Sequence, residues 1–317
     1  MHSLYPEIEP FQTHSLATDS VHKLYVEECG RPDGIPVIFL HGGPGSGCKE
    51  NHRRYFNPEK YRVILFDQRG CNRSTPQGST ESNTTSDLIE DMERIRRHLG
   101  VDHWMVFGGS WGATLGLLYA EIFPEKVTGL ILRGTFLARR QDLDWFAKDG
   151  VNRIFPDYWE EFISVISPEE RDDLIAAYHG RIHGNEGDEK KRFARNWSDW
   201  ASRVVTWNLK EEKEEEHDEE TILHEASIEI HYAKNWYFLA ENKILNDCDR
   251  LPKVSTIIIH GRRDLTCLPE ASWSLHKHLP HSELVILPDA GHLAGEPAMV
   301  DALVQATDRM AELISRT

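Results

Sequence analysis

No apolar run in the chain approaches the roughly 18 residues that cross a bilayer, so a membrane-embedded protein is not expected. Cysteine is scarce and unpaired in pattern: Cys29, Cys48, Cys71, Cys248 and Cys267 are odd in number and scattered, with no C-x-x-C. That excludes a disulfide scaffold or zinc ribbon and suits reduced thiols, with no metal site implied. Basic residues are in deficit, 36 Lys and Arg against 52 Asp and Glu, for a net charge of −16. Such a balance argues against nucleic acid or an anionic membrane as a partner. The first ten residues lack the basic start and apolar core of a secretory signal, so a cytoplasmic location is expected.

Much of the acidity is local. Glu211 to Glu220 hold eight acids and one lysine, which places −7 of the charge in ten residues. A solvated loop or frayed helix explains such a run; the functional alternative is a field that gathers cationic substrates. The composition as a whole, 39% hydrophobic and 28% charged, is that of a globular protein long enough for one large domain carrying an insertion.

Short apolar runs punctuate the first half. Residues 11–17 and 22–29 read as early antiparallel strands. Pro36 to Leu40 and Arg62 to Asp67 read as buried strands, each ending in a glycine-rich loop, His41-Gly-Gly-Pro-Gly45 and Gln68 to Pro76. Ser86 to Leu99 is a helix, with Leu88, Ile89, Met92, Ile95 and Leu99 at helical spacing and Asp87, Glu90, Asp91, Glu93, Arg94, Arg96 and Arg97 expected to face water. Trp104 to Phe107 and Val127 to Arg133 continue the strands. From about Arg133 to Asp249 the chain is polar, aromatic and helical in tone, and strands resume at Ser255 to Ile259 and Ser282 to Leu287 before a final helix from Pro297 to about Ile314. The alternation predicts an α/β fold with a mostly parallel sheet, interrupted by an inserted helical cap.

The sharpest motif is Gly108-Gly-Ser-Trp-Gly112, set between a strand and an apolar helix. Glycines on both sides allow Ser110 to stand on a sharp turn above the sheet edge, and the helix N-terminus aims N–H groups at nearby negative charge. A serine hydroxyl needs a base, and the base needs an orienting carboxylate. Two later strands end in suitable residues, Asp264 and then His292, in the order Ser, Asp, His. Asp289 and His260 are the local competitors. An oxyanion would need two donors, and the N–H groups of Trp111 and Gly43 are placed to supply them.

His41-Gly-Gly-Pro-Gly45, Asp67-Gln-Arg-Gly70 with Arg73-Ser-Thr-Pro76, Gly108-Gly-Ser-Trp-Gly112, Leu132-Arg-Gly134, Gly261-Arg-Arg-Asp264 and Gly291-His292 with Glu296-Pro297 together resemble the prolyl aminopeptidases (proline iminopeptidases) of the α/β-hydrolase superfamily. The resemblance spans nearly the whole chain. It implies an eight-stranded, mostly parallel sheet in a catalytic domain of residues 1–134 and 250–317, with a helical cap of residues 135–249. It also implies an enzyme that uses no metal or cofactor and removes an N-terminal proline from short peptides, or from amino-acid amides with a free N-terminus, through an acyl-serine. Two cap glutamates hold the substrate amine in that family. One carries over as Glu229 in Ile228-Glu-Ile-His-Tyr232; the other's position, after Trp197-Ser-Asp-Trp200, is Ala201. Phe136, with Trp145 or Phe146, matches the apolar proline pocket, while Ala233 stands where a phenylalanine is expected. Asp199 or the Glu211 run could substitute for the missing acid, and Cys267 matches a cysteine often present near the family's site. The alternatives are a serine esterase or amidase of altered specificity and a catalytically idle small-molecule binding protein.

Overall fold

The computed structural model, which describes residues 1–18, 21–184, 187–206 and 218–316, gathers eight strands into one sheet. They are β1 (Gln12–Ala17), β2 (Lys23–Gly30), β3 (Ile35–Leu40), β4 (Tyr61–Phe66), β5 (Trp104–Gly109), β6 (Val127–Arg133), β7 (Ser255–Gly261) and β8 (Glu283–Leu287). Their order is β1-β2-β4-β3-β5-β6-β7-β8, antiparallel for the first two pairings and parallel from β4 onward. The period of two sorts the central strands. Ile38, Leu40, Ile64, Phe66 and Val106 enter the core on one face of the sheet, and Val37, Phe39, Val63, Leu65, Met105 and Phe107 that on the other. Both faces need cover, which is why these strands read as continuous apolar runs.

The helices in chain order are α1 (Thr85–His98), α2 (Trp111–Ile122), α3 (Arg140–Ala147), α4 (Pro156–Ser164), α5 (Leu174–Gly184), α6 (Asp188–Val205), α7 (Glu219–Lys234), α8 (Lys243–Asn246), α9 (Pro269–His278) and α10 (Pro297–Ile314). Residues of α1, α2 and α9 join the first core, and α10 covers the second. Thr84 caps α1, its backbone N–H reaching Asp87 at 2.9 Å. Not all of the polar face of α1 meets water, as its periodicity suggested. Asp91, Glu93 and Arg96 are buried, because Arg69 pairs with Asp91 at 2.6 Å while Arg96 and the Tyr119 hydroxyl both bind Glu93. A second surface, made by the loop after β4 and by α2, packs against α1 where a simple amphipathic helix would be solvated.

Between β6 and β7 no strand occurs among the described residues. Helices α4 to α7 gather Phe162, Tyr178, Trp197, Trp200, Ile222 and Ile230 into a third core distinct from the two that line the sheet. Most of the acidic run, residues 211–217, lies outside the described residues; Glu219 and Glu220 open α7 behind Asp218, whose carboxylate accepts the N–H groups of Glu220 and Thr221.

Strand β3 has β4 on one side and β5 on the other, and the chain leaves β3 and β5 in opposite directions. At such a switch point the loops at the carboxyl edge diverge, which leaves room for a ligand. The loops are 41–45 after β3 and the turn at Ser110 after β5.

Candidate active site

Ser110 is the residue between β5 and α2, and its backbone is held at φ 56°, ψ −123°. A non-glycine residue there is strained by about 1–3 kcal/mol. The turn survives because its neighbours press on it. A Cβ on Gly112 would lie 2.0 Å from the Leu40 carbonyl oxygen, and one on Gly108 would lie 2.2 Å from the Gly112 carbonyl oxygen. Backbone cannot yield as a side-chain tip can. Gly112→Ala is therefore expected to destabilise the fold by about 1–3 kcal/mol, read as a lower melting temperature together with lost activity.

The Ser110 N–H donates to the Arg133 carbonyl at 2.9 Å, which ties the turn to the end of β6. Arg133 reaches on to the turn after β8, donating from Nη1 to the His292 carbonyl at 2.6 Å. Glu296 pins the same turn by accepting the N–H groups of Gly291 and Leu293. The His292 ring, buried, sets Nδ1 2.7 Å from Asp264 Oδ2. Asp264 stands just past β7, and its other oxygen accepts the N–H groups of Thr266 (3.0 Å) and Cys267 (2.8 Å). The Cys267 Sγ lies 3.9 Å from Ser110 Oγ, so the serine, the carboxylate loop and the histidine turn form one cluster.

Electrostatics suit a base. Burial opposes ionisation of Asp264, but His292 and His260 outweigh it and hold the carboxyl below the usual carboxylate range. Burial lowers the His292 pKa, against the pull of Asp264, so the imidazole is neutral and ready to take a proton near pH 7. Burial also pushes the Cys267 thiol well up, which keeps it protonated beside the serine.

The two expected oxyanion donors flank Ser110. Trp111 opens α2, and among the described residues neither its N–H nor that of Gly43 finds an acceptor. A Cβ on Gly42 would sit 3.9 Å from Ser110 Oγ, which fixes how closely the 41–45 loop approaches. Sequence reasoning missed the residue that ties the 41–45 loop to the Trp111 side chain. Gln68 donates from Nε2 to the His41 carbonyl at 3.0 Å and accepts from Trp111 Nε1 at 2.9 Å, while its own N–H goes to His41 Nε2 at 3.0 Å. Gln68→Leu would leave these buried groups unpaired, at about 1–3 kcal/mol. The expected result is a kcat loss of about 10- to 100-fold with KM within a few-fold, measured in steady state.

Glu229 lies on α7 and accepts from Trp197 Nε1 at 2.8 Å. The other residues expected in the pocket are linked to this pair and to Trp111 by ring contacts and one hydrogen bond. Phe146 packs on Trp197 at 5.6 Å; Phe136 packs on Tyr237 at 4.9 Å, and Tyr237 on Trp111 at 5.3 Å. Trp145 donates from Nε1 to the carbonyl of Leu265, one residue after Asp264. Both Trp145 and Phe146 thus belong to the neighbourhood. Asp199 is exposed on α6. Of the competitors, Asp289 is exposed and paired with Arg263, and His260 is wholly buried against Asp264.

A second carboxylate was not foreseen. Glu225 stands one helical turn before Glu229, with its backbone carbonyl 3.0 Å from where a Cβ on Gly45 would be. Burial drives the pKa of Glu225 up to about 7, and Glu229 adds to the rise; burial alone drives Glu229 to about 7. The i, i+4 spacing was the available signal.

A strand-to-helix turn bearing a strained serine, with Asp and His following on later strands of a mostly parallel sheet, defines an α/β hydrolase. A family model for the alpha/beta hydrolase fold matches residues 35–297. Among curated proteins the chain is 47% identical over 313 residues to the proline iminopeptidase of Xanthomonas citri, covering 98% of this chain and 100% of that protein. It is 46% identical over 310 residues to that of Xylella fastidiosa, covering 97% and 99%. A solved proline iminopeptidase from Mycobacterium smegmatis shares the fold at a TM-score of 0.61 and 16% identity, over 95% of this chain and 99% of that one. The chain belongs to the proline iminopeptidase family of the α/β hydrolases.

Proposed function

We propose that the protein is a serine aminopeptidase that releases N-terminal proline from short peptides, with Ser110 as nucleophile, His292 as general base and then acid, and Asp264 as the carboxylate that orients His292. The observation that carries the reading is the cluster of strained Ser110 and buried His292 with Nδ1 2.7 Å from Asp264, beside two N–H groups without acceptors among the described residues. The His292 ring takes the Ser110 proton as Oγ attacks the carbonyl of the first residue. The oxyanion that forms is held by the N–H groups of Gly43 and Trp111. His292 then protonates the departing amine, and water repeats the sequence on the acyl-serine.

Glu229 and Glu225 face the substrate's cationic amine, and its arrival draws both carboxyls into the ionised form. Glu225 fills the role left open by Ala201. Phe136, Tyr237, Trp145 and Phe146 enclose the pyrrolidine ring. The helical segment 135–249, capping a catalytic domain of residues 1–134 and 250–317, admits only a chain end. All five cysteines are free thiols, as suits a reducing compartment such as the cytoplasm. No described helix is long and apolar enough to cross a membrane.

A fluorophosphonate probe tests the nucleophile. One adduct on Ser110, absent from Ser110→Ala, is the expected result; an unlabelled wild type would favour an idle binding protein on the same scaffold.

A further inference from the structure

His260 has no part in the reaction as set out above, yet it is wholly buried at the end of β7, facing α9. A histidine in such a place needs both ring nitrogens satisfied. Its Nε2 lies 2.7 Å from the Cys267 carbonyl and 3.2 Å from Asp264 Oδ2, and its Nδ1 lies 2.6 Å from Ser272 Oγ on α9. A carbonyl only accepts, so Nε2 carries the proton. In the neutral ring Nδ1 then accepts, and the Ser272 hydroxyl donates to it. The serine therefore selects the tautomer whose Nε2–H binds the Cys267 carbonyl and stands beside Asp264 Oδ2.

Asp264 then receives three N–H groups, Thr266 and Cys267 backbone on Oδ1 and His292 Nδ1 on Oδ2, and the His260 Nε2 stands 3.2 Å from Oδ2 as a fourth polar neighbour. Three donors and a fourth polar neighbour engage both oxygens and hold the carboxylate against rotation. They also share its charge. A carboxylate with a second imidazole beside it holds a proton on His292 less tightly than one devoted to His292 alone.

We propose that His260, locked by Ser272, is a positioning residue for the hydrolysis: it fixes the Asp264 carboxylate toward His292 and tempers its charge so that the base stays free at neutral pH. The same N–H holds the Cys267 carbonyl, and Cys267 sends its own N–H to Asp264 and its thiol toward Ser110. One side chain thus braces the whole 264–267 loop. The groups facing His292 are Asp264, which raises its proton affinity, and Arg133 and His260, which lower it. Those acting on Cys267 are Asp264, Asp142, Ser110 and Arg133. The proposal rests on the serine-hydrolase reading.

Its test is the pH profile of kcat/KM for His260→Leu, His260→Gln and Ser272→Ala, each checked for folding by circular dichroism and for wild-type-like labelling stoichiometry by the fluorophosphonate. Leu removes the donor, whereas the Gln amide can present an N–H near the place of Nε2. His260→Leu is expected to lose about 10- to 100-fold in kcat with KM little changed, as for one lost hydrogen bond to a charged group. Its acid limb should move to higher pH, because Asp264 then serves His292 alone. His260→Gln should recover most of both effects, and Ser272→Ala should show the same shift in smaller measure. If His260→Leu does not fold, the Gln and Ser272→Ala profiles decide. An acid limb unmoved in every folded variant would overturn the proposal and leave His260 a packing residue. An unlabelled wild-type Ser110 would instead remove the serine-hydrolase reading itself.

Discussion

Asp264→Asn is expected to lower kcat by about 10⁴-fold while leaving the fold intact, the scale seen when a triad carboxylate loses its charge. The direction follows from which oxygen does what. Oδ1 accepts two backbone N–H groups, so an asparagine must place its carbonyl oxygen there and turn its NH2 toward His292 and His260. His292 Nδ1, now facing a donor, must become an acceptor. Its proton moves to Nε2, the nitrogen required to receive the Ser110 proton. The base is then blocked by its own tautomer. Steady-state kinetics beside a thermal melt checks this, and a loss below about tenfold would mean that Asp264 does not orient the base.

The second large effect concerns the amine. Glu229→Gln is expected to reduce kcat/KM for a free-amine proline substrate by about 10- to 150-fold, the equivalent of one charge-assisted hydrogen bond of about 1.5–3 kcal/mol. Turnover of an N-acetylated analogue should barely change. Glu225→Gln should act in the same direction, and the double variant should fall short of the product, because the two carboxylates share one guest. Stability should move the other way. Folding raises both carboxyls to about 7 from an ordinary value of 4.5. The native state therefore holds these protons longer than the unfolded chain, and stability falls as pH climbs through that interval and stays lower above it. At pH 8 each Glu→Gln change should raise stability by on the order of 2 kcal/mol, and at pH 4 it should change little. For the wild type, protons compete with the substrate amine below about pH 7. KM for the free-amine substrate should then climb by up to about tenfold per pH unit for each proton displaced.

The parts of the site that were legible in the sequence are those written at strand ends. Ser110, Asp264 and His292 each follow an apolar run, and glycine spacing marks the turn that holds the serine. The strands themselves shifted by no more than about two residues, because burial on both faces leaves an unbroken apolar signature. What stayed hidden was set by tertiary contact. Gln68 joins His41 to Trp111 across three loops, and no periodicity links those positions. His260 reads only as a competitor for the base at a strand end, since its partner Ser272 belongs to a helix whose packing angle no local pattern states. Asp91, Glu93 and Arg96 looked like a wet helix face because amphipathicity describes one neighbour, whereas α1 has two. Glu225 is within reach of the i, i+4 rule from Glu229, but it lies outside both the acidic run and the motifs that carry the resemblance.

Ala201 and Ala233 stand where the resemblance implies a glutamate and a phenylalanine, and in the proposed reading Glu225 supplies the second acid. A carboxylate moved from α6 to α7 would still face the amine, approaching from the side of the 41–45 loop. The relocated acid would let proline selectivity persist without the second family glutamate.

Hydrolysis of proline p-nitroanilide, measured beside its N-acetyl form and the alanine and leucine anilides with Ser110→Ala as control, tests the central claim most directly. The account predicts that the free-amine proline substrate is turned over well, the acetylated one poorly, the other residues less than proline, and none by the variant. Efficient cleavage of blocked or simple ester substrates with neglect of free proline would contradict it, and would mean that the triad has been kept while the amine site has not.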